Sequence, residues 1–263
     1  YVGTHLDNNE SDILAPGSGI LVSSYQNGGF SLEYAGDGEA VMVWTQSVGG
    51  DESDIRAQRI KRTNEGMVSL WNDDGGDSGK IICNADDVQH KAKVTTFNGN
   101  HVVVVWRDLR DDPDGDVYVQ ILDNMGNSLL DANGRAVCDD VGQQASPRVK
   151  TDGTHAFIYW EDKRFNDVDP FVQKMDTSGN LLWSDNGIQV TTDSNDQDHV
   201  RMSVDNNGGA FFSWIDGRGD SNPEWAGSDI YLEHIMHCHH FLEKVMDFQQ
   251  EQLVDFVLCY LNY

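Results

Sequence analysis

The chain has 263 residues, with 44 Asp plus Glu against 18 Lys plus Arg, a formal net charge of −26. Such a charge excludes nucleic acid as a partner, because phosphate binding needs a basic footprint, and it disfavours anionic membrane surfaces. No stretch approaches the length of a membrane span, and 26 glycines against 5 prolines suit an all-β secreted domain.

Residues 1–12 carry no pattern that predicts an element, and no initiator Met or leader precedes them, which reads as a processed product or an excised piece. Residues 13–24 resemble the last strand of a repeat unit. They either close a ring or are the stump of a unit lost upstream, and the second reading is preferred.

From about residue 25 the chain repeats itself. Apolar runs end in tryptophan four times, VMVW at Trp44, VVVVW at Trp106, AFIYW at Trp160 and AFFSW at Trp214, with steps of 62, 54 and 54 residues. Spacing of that length marks one supersecondary unit copied several times. Three copies continue as Trp-x-Asp-x-Arg: Asp108/Arg110, Asp162/Arg164 and Asp216/Arg218. An acidic loop follows, then a strand-like segment such as Asp116-Val-Tyr-Val-Gln120 or Asp169-Pro-Phe-Val-Gln173. Next comes a turn of the type Asp176-Thr-Ser-Gly-Asn180, a Leu-Trp or Leu-Leu pair, a Gly and a short apolar run. An alternating segment such as Pro147–Gly153 leads into the next Trp strand.

Counted per unit, that makes four short strands, rich in Val, Ile, Phe, Tyr and Thr and bounded by Gly, Asn and Asp. In the third unit they are 148–151, 156–160, 171–175 and 188–192. The pattern predicts an all-β fold, a β-propeller of four-stranded blades, with units near 25–84, 90–140, 145–193 and 198–235. The Trp strand reads as covered on both faces, with its Trp in the seam between blades. An elongated β-solenoid is the competing architecture, but its repeats are shorter. Cys83 and Cys138 occupy equivalent outer-strand positions, too far apart for a disulfide, and read as half-buried side chains. Four cysteines in a chain of this size define no redox compartment.

After Ile235 the template vanishes. No Gly follows Gly227, and apolar residues from Phe241 to Leu261 recur at roughly helical spacing, so 236–263 is a divergent tail with a helical reading among others. His234, His237, Cys238, His239 and His240 put five metal-capable side chains in seven residues, but they fall where the pattern fails and read as chance composition.

Three further features bear on chemistry. Asp112, Asp114 and Asp116 in the acidic loop Asp111–Asp116 are the candidate calcium ligands, since alternate carboxylates near a Gly can wrap a hard cation. The Gly is misplaced, however, and no bidentate Glu follows, so a solvated loop is the plainer reading. Sister loops carry Asp51, Glu52 and Asp54, then Asp167 and Asp169, then Asp220, Glu224 and Asp229. The repeated Asp/Arg pairs read as structural ion pairs, because a catalytic group is usually unique. Trp225 in the long loop 216–228, with Asp220 and Glu224, is the candidate ligand contact. No catalytic residue can be assigned.

The string Trp-x-Asp-x-Arg, Asp-Ile-Tyr-x-Gln, Gly-Asn-x-Leu-Trp over residues 18–235 resembles the tandem repeats of large secreted or cell-surface bacterial β-propeller proteins. That resemblance implies an extracellular setting and transfers no catalytic residue. Sialidase boxes are not matched. The expectation is a non-enzymatic extracellular recognition or scaffold module that binds carbohydrate or protein, with calcium as its one candidate cofactor. The alternative is a glycoside hydrolase with carboxylates around a central channel. Asymmetry separates the two: a hydrolase has one cleft with non-repeated acids, a scaffold has equivalent blades.

Overall fold

The computed structural model describes residues 21–23, 27–71, 79–193, 195–205, 207–216 and 229–236. It is all-β in these residues, with four successive antiparallel sheets stacked face to face as the blades of a β-propeller. The first sheet holds β1 (Asn27–Gly36), β2 (Glu39–Gly49), β3 (Glu52–Thr63), β4 (Gly66–Ser69) and β5 (Lys80–Cys83), the last two both pairing with β3. The second holds β6 (Gln89–Phe97), β7 (His101–Asp108), β8 (Asp116–Leu122) and β9 (Arg135–Cys138). The third holds β10 (Gln144–Thr151), β11 (Ala156–Asp162), β12 (Asp169–Met175) and β13 (Ile188–Gln189), and the fourth β14 (Gln197–Val204), β15 (Ala210–Asp216) and β16 (Asp229–Ile235).

The all-β blades are as predicted, with three differences. The first sheet has a fifth strand. Strand β13 is two residues where five were expected, and the fourth blade shows three strands among the described residues. The first strands β1, β6, β10 and β14 touch one another in sequence, which makes them the hub side.

Each motif of the repeat has a specific physical job. The Trp strands of blades two and three are covered on both faces: Val102, Val103, Val104, Val105 and Trp106 are all buried, as are Ala156 to Trp160. Apolar clusters fill the three spaces between consecutive blades, each built from alternate residues of the two facing sheets. The recurring Gly before the fourth strand lets the Trp ring lie flat on the backbone. A Cβ on Gly134 or Gly187 would collide with the six-membered ring of Trp106 or Trp160, and both glycines sit at positive φ (83° and 81°).

The glutamine closing the third strand pins the turn that follows. Oε1 of Gln58, Gln120 and Gln173 accepts the backbone N–H of Trp71, Leu130 and Trp183. The turn itself is an Asx structure. Oδ1 of Asp123 accepts the N–H groups of Met125 and Asn127, and Asp176 repeats this with Ser178 and Asn180. These bonds to the charged form hold both carboxyls below the usual range, against the opposing effect of burial. Blades are also stitched through their turns. Trp71 Nε1 donates to Asn124 O, and the buried Lys174 crosses from blade three to donate to Gly208 O while lying over the Phe157 ring.

Cys83 and Cys138 are free thiols, as the distance argument required, but they are fully buried rather than half-buried. Burial is the main reason their pKa values are pushed up to about 12. Neither is expected to react with iodoacetamide at pH 8 in the folded chain. Peptide mapping that found either one labelled within minutes would show that the outer seam opens.

Candidate functional site

At one end of the blades, where first and third strands begin and second strands end, the sequence places its carboxylates. In blade three, Asp162 Oδ2 accepts Trp160 Nε1 at 2.7 Å and Arg164 Nη2 at 2.6 Å, while Oδ1 accepts the Arg164 N–H and Nε. Arg164 also donates to Cys138 Sγ, Asn186 O and Asp140, and lies 4.0 Å from the Phe171 ring centre. Blade two repeats the arrangement with Trp106, Asp108, Arg110, Cys83, Asn133 and Tyr118. In blade four Trp214 Nε1 donates to Asp216. The Asp/Arg pairs are thus structural clamps that join the end of the second strand to the fourth strand of the preceding blade.

Beside each clamp stands a second aspartate with no cation of its own. Asp116 is the direct cross-strand partner of Asp108, and Asp169 of Asp162; both are buried, and Oδ1 of each lacks a hydrogen-bond donor among the described residues. Burial first, then the neighbouring carboxylates, pushes Asp116 up to about 7 and Asp169 to about 6.

The three candidate calcium ligands Asp112, Asp114 and Asp116 take different places. Asp112 is spent on the loop, its Oδ1 accepting the Asp114 N–H, while Asp114 is exposed and gives its carbonyl to Arg107. Asp116 instead points into the blade. Among the described residues no three His, Cys, Asp or Glu side chains form a metal-ligating group.

Trp225, Asp220 and Glu224 lie outside the described residues, as do His237, Cys238, His239 and His240. His234 is described. It stacks on Phe211 with ring centres 4.1 Å apart and sits 2.8 Å from Asp205, an inter-strand contact rather than part of a metal site.

Blade one breaks the pattern. Gln46 stands where the other three units have the clamp Asp, and Val48 where all three have the Arg. In consequence Trp44 Nε1, Gln46 Oε1 and Thr45 Oγ1 are buried with no hydrogen-bond partner among the described residues. The acidic loop is also shortened, and β2 runs into β3 through Gly49 and Gly50, both at positive φ. Between this hairpin and the start of blade two lies a cleft of about 250 Å³, lined by Thr45, Ser47, Gly50, Asp51, Glu52, Ser53, Val88 and His90.

Its floor is fastened where Ser53 pairs with Val88 and Ser53 Oγ donates to Gln89 O at 2.8 Å. Asp51 and Glu52 stand exposed at the rim. His90 is held neutral, its pKa lowered to about 4 by burial and then by Arg107, whose Nη1 is 3.4 Å from Nε2. Two carboxylates, a neutral imidazole and the side chains of Ser47 and Ser53 thus border one small cavity, with the Thr45 hydroxyl buried in its wall. The signal for it was in the sequence as an omission: the first tryptophan is the one not followed by x-Asp-x-Arg.

No protein-family profile and no curated protein sequence matches the chain. Among solved structures it is similar to the GH93 α-L-arabinofuranosidase of Fusarium graminearum, in complex with arabinobiose, at 10% identity and a TM-score of 0.47, over 78% of this chain and 61% of that one. It is also similar to the endo-arabinase of Bacteroides thetaiotaomicron, at 13% identity and a TM-score of 0.44, over 78% and 74%. A third is the α-L-arabinanase of Penicillium chrysogenum, with arabinobiose, at 12% and 0.45, over 78% and 61%. The chain spans about three fifths of the length of the first of these. At such identities the likeness is one of fold.

These findings correct the expectation of a non-enzymatic recognition or scaffold module: the structures sharing the arrangement are glycosidases. The physical reason the expectation failed is that it took the blades as equivalent, whereas the first blade has lost its clamp and gained a cleft.

Proposed function

We propose that the chain belongs to a glycan-cleaving hydrolase working outside the cell, with the cleft between blades one and two as its site and Asp51 and Glu52 as its carboxylate pair. The observation that carries this reading is the cleft itself, which gathers Asp51, Glu52, hydroxyl side chains and neutral His90 beside the one blade among the described four that lacks the clamp Asp. Glycoside hydrolysis needs two carboxyl groups flanking one bond. One protonates the leaving glycosidic oxygen as the C–O bond breaks, and the other activates the water, or attacks the anomeric carbon, on the opposite face. Ser47 and Ser53 supply hydroxyls for a sugar ring, and neutral His90 can donate or accept a hydrogen bond without adding charge. The cavity has room for a single sugar unit, which favours cleavage at a chain end or of a side branch.

The test is a panel of nitrophenyl pentosides and hexosides together with arabinan and arabinobiose, the last chosen because two of the similar structures hold it. Hydrolysis is expected on at least one, falling 100-fold or more in Glu52→Gln and in Asp51→Asn with the melting temperature unchanged. Rates equal to wild type in both variants would remove catalysis from this cleft, and a silent panel would remove the hydrolase reading.

A further inference from the structure

The hub side of this acidic chain is cationic. Five of its 18 Lys plus Arg lie on β6, β10 and β14 (Lys91, Lys93, Arg148, Lys150 and Arg201), and Asp198 is the one residue there of its 44 Asp plus Glu. Lys93, Arg148 and Arg201 hold one register, each opposite the residue that precedes the blade Trp. A bulge precedes all three, with Lys91, Ser146 or His199 at positive φ (57°, 53° and 55°), so the strands present these positions alike. The first strands also surround one space, for Glu33 of β1, its pKa raised by burial, is drawn back by Lys150 of β10 two blades away.

Cations elsewhere in the sheets have partners: Arg59 and Lys61 share Glu39, and Arg110 and Arg164 hold the clamp aspartates. Lys93 and Arg148 are half-buried, and among the described residues neither has a hydrogen bond or an ion pair. Arg201 donates to carbonyls of its own strand, His199 O at 3.2 Å and Val200 O at 2.9 Å. Lys93 and Arg148 are neighbours across blades two and three: the Lys93 ammonium is held below the usual lysine range by burial, then by Arg148 and Lys91. Like charges set side by side and partly out of water are unfavourable until an anion joins them.

We propose that Lys93 and Arg148 bind the carboxylate of a uronate sugar, the neighbour of the unit held in the cleft. A guanidinium matches two carboxylate oxygens with a fork of N–H donors, and an ammonium adds a compact point charge. Lys93 is three residues from His90 of the cleft on the same strand, about 10 Å, so the two sites suit adjoining units of one glycan. The uronate is not the cleaved unit, since Asp51 and Glu52 would repel it there. Its being part of a glycan rests on the hydrolase reading; the anion site does not.

Isothermal titration calorimetry of the full chain tests it, with Glu52→Gln beside wild type so that turnover does not contribute heat. The probes are trisaccharides of galacturonate and of glucuronate, their neutral methyl esters, and sodium sulfate. At least one acidic trisaccharide is expected to bind with a dissociation constant below about 1 mM. Binding should weaken about tenfold or more in Lys93→Gln and in Arg148→Gln, and the methyl ester should not bind. Arg148→Lys keeps the charge without the fork and should fall between. No heat from either acidic sugar, equal binding of the esters, or unchanged affinity in both Gln variants would overturn the proposal. Sulfate binding as tightly as the trisaccharides would overturn the sugar assignment. Acidic-sugar binding by a chain that hydrolyses nothing would support this site and remove only the catalytic reading.

Discussion

Replacing Asp162 with alanine is expected to lower the stability of the fold by about 3–5 kcal/mol, the range for breaking a buried ion pair by removing one partner. The side chain of Asp162 is fully buried and accepts four hydrogen bonds, from the Trp160 indole and from three donors of Arg164. Its loss leaves the Arg164 guanidinium, only 8% exposed, facing the Cys138 thiol and a carbonyl with one carboxylate, Asp140, remaining. The indole N–H is orphaned at the same time.

Asp162→Asn keeps an acceptor for the indole and is expected to cost less. Urea unfolding with an unchanged slope and a lower midpoint is the measurement. A loss below about 1 kcal/mol would mean that the apolar seam alone holds blades two and three together. Blade one already shows what the missing clamp does, for Trp44 Nε1 is left without an acceptor among the described residues.

The second large effect is one of pH, carried by Asp116 and Asp169. Both carboxyls have folded pKa values raised above the ordinary 3.8, to about 7 and about 6, by burial beside the clamp aspartates. Between pH 4 and 7 the folded chain holds protons on them that the unfolded chain has lost. Their contribution to stability is therefore fully present below pH 4 and disappears as pH rises through 6 to 7. The amide of Asp116→Asn mimics the protonated acid at every pH. That variant is expected to match wild type near pH 4.5 and to exceed it at pH 8 by on the order of 2 kcal/mol, since a tenfold change in proton affinity corresponds to about 1.4 kcal/mol. Asp169→Asn should show the same sign with a smaller gain.

The difference between variant and wild type is the quantity to follow, because His90 and the turn aspartates Asp123 and Asp176 pull the other way. Their folded pKa values are lowered, so they lose stability as pH falls. A melting-temperature difference that stays flat from pH 4.5 to 8 would show that Asp116 is ionised and solvated throughout.

The amino-acid sequence by itself determined the blades. Tryptophan at a constant interval, strands of four to six apolar residues, the Asp-x-x-Gly-Asn turns and the Gly that seats each Trp ring are local patterns, and each is satisfied within one or two adjoining sheets. The clamp was legible for the same reason, since Asp108 and Arg110, like Asp162 and Arg164, are two residues apart and meet through their own backbone.

What only the tertiary structure decided lies between blades. The acidic loop of Asp112, Asp114 and Asp116 looked like one ligand set along the chain. Yet Asp116 starts a strand and is buried in the sheet, while Asp112 and Asp114 stay in the loop, because the chain turns over Asp112–Gly115 before the strand begins. The cleft needed Glu52 on one hairpin to meet His90 of the next blade, nearly forty positions away, a distance set by how two sheets pack and not by any spacing in the sequence. The exposure of single strand residues was equally out of reach. Leu32 and Val94 read alike as strand residues, and only the presence or absence of a neighbouring sheet makes one exposed and the other buried.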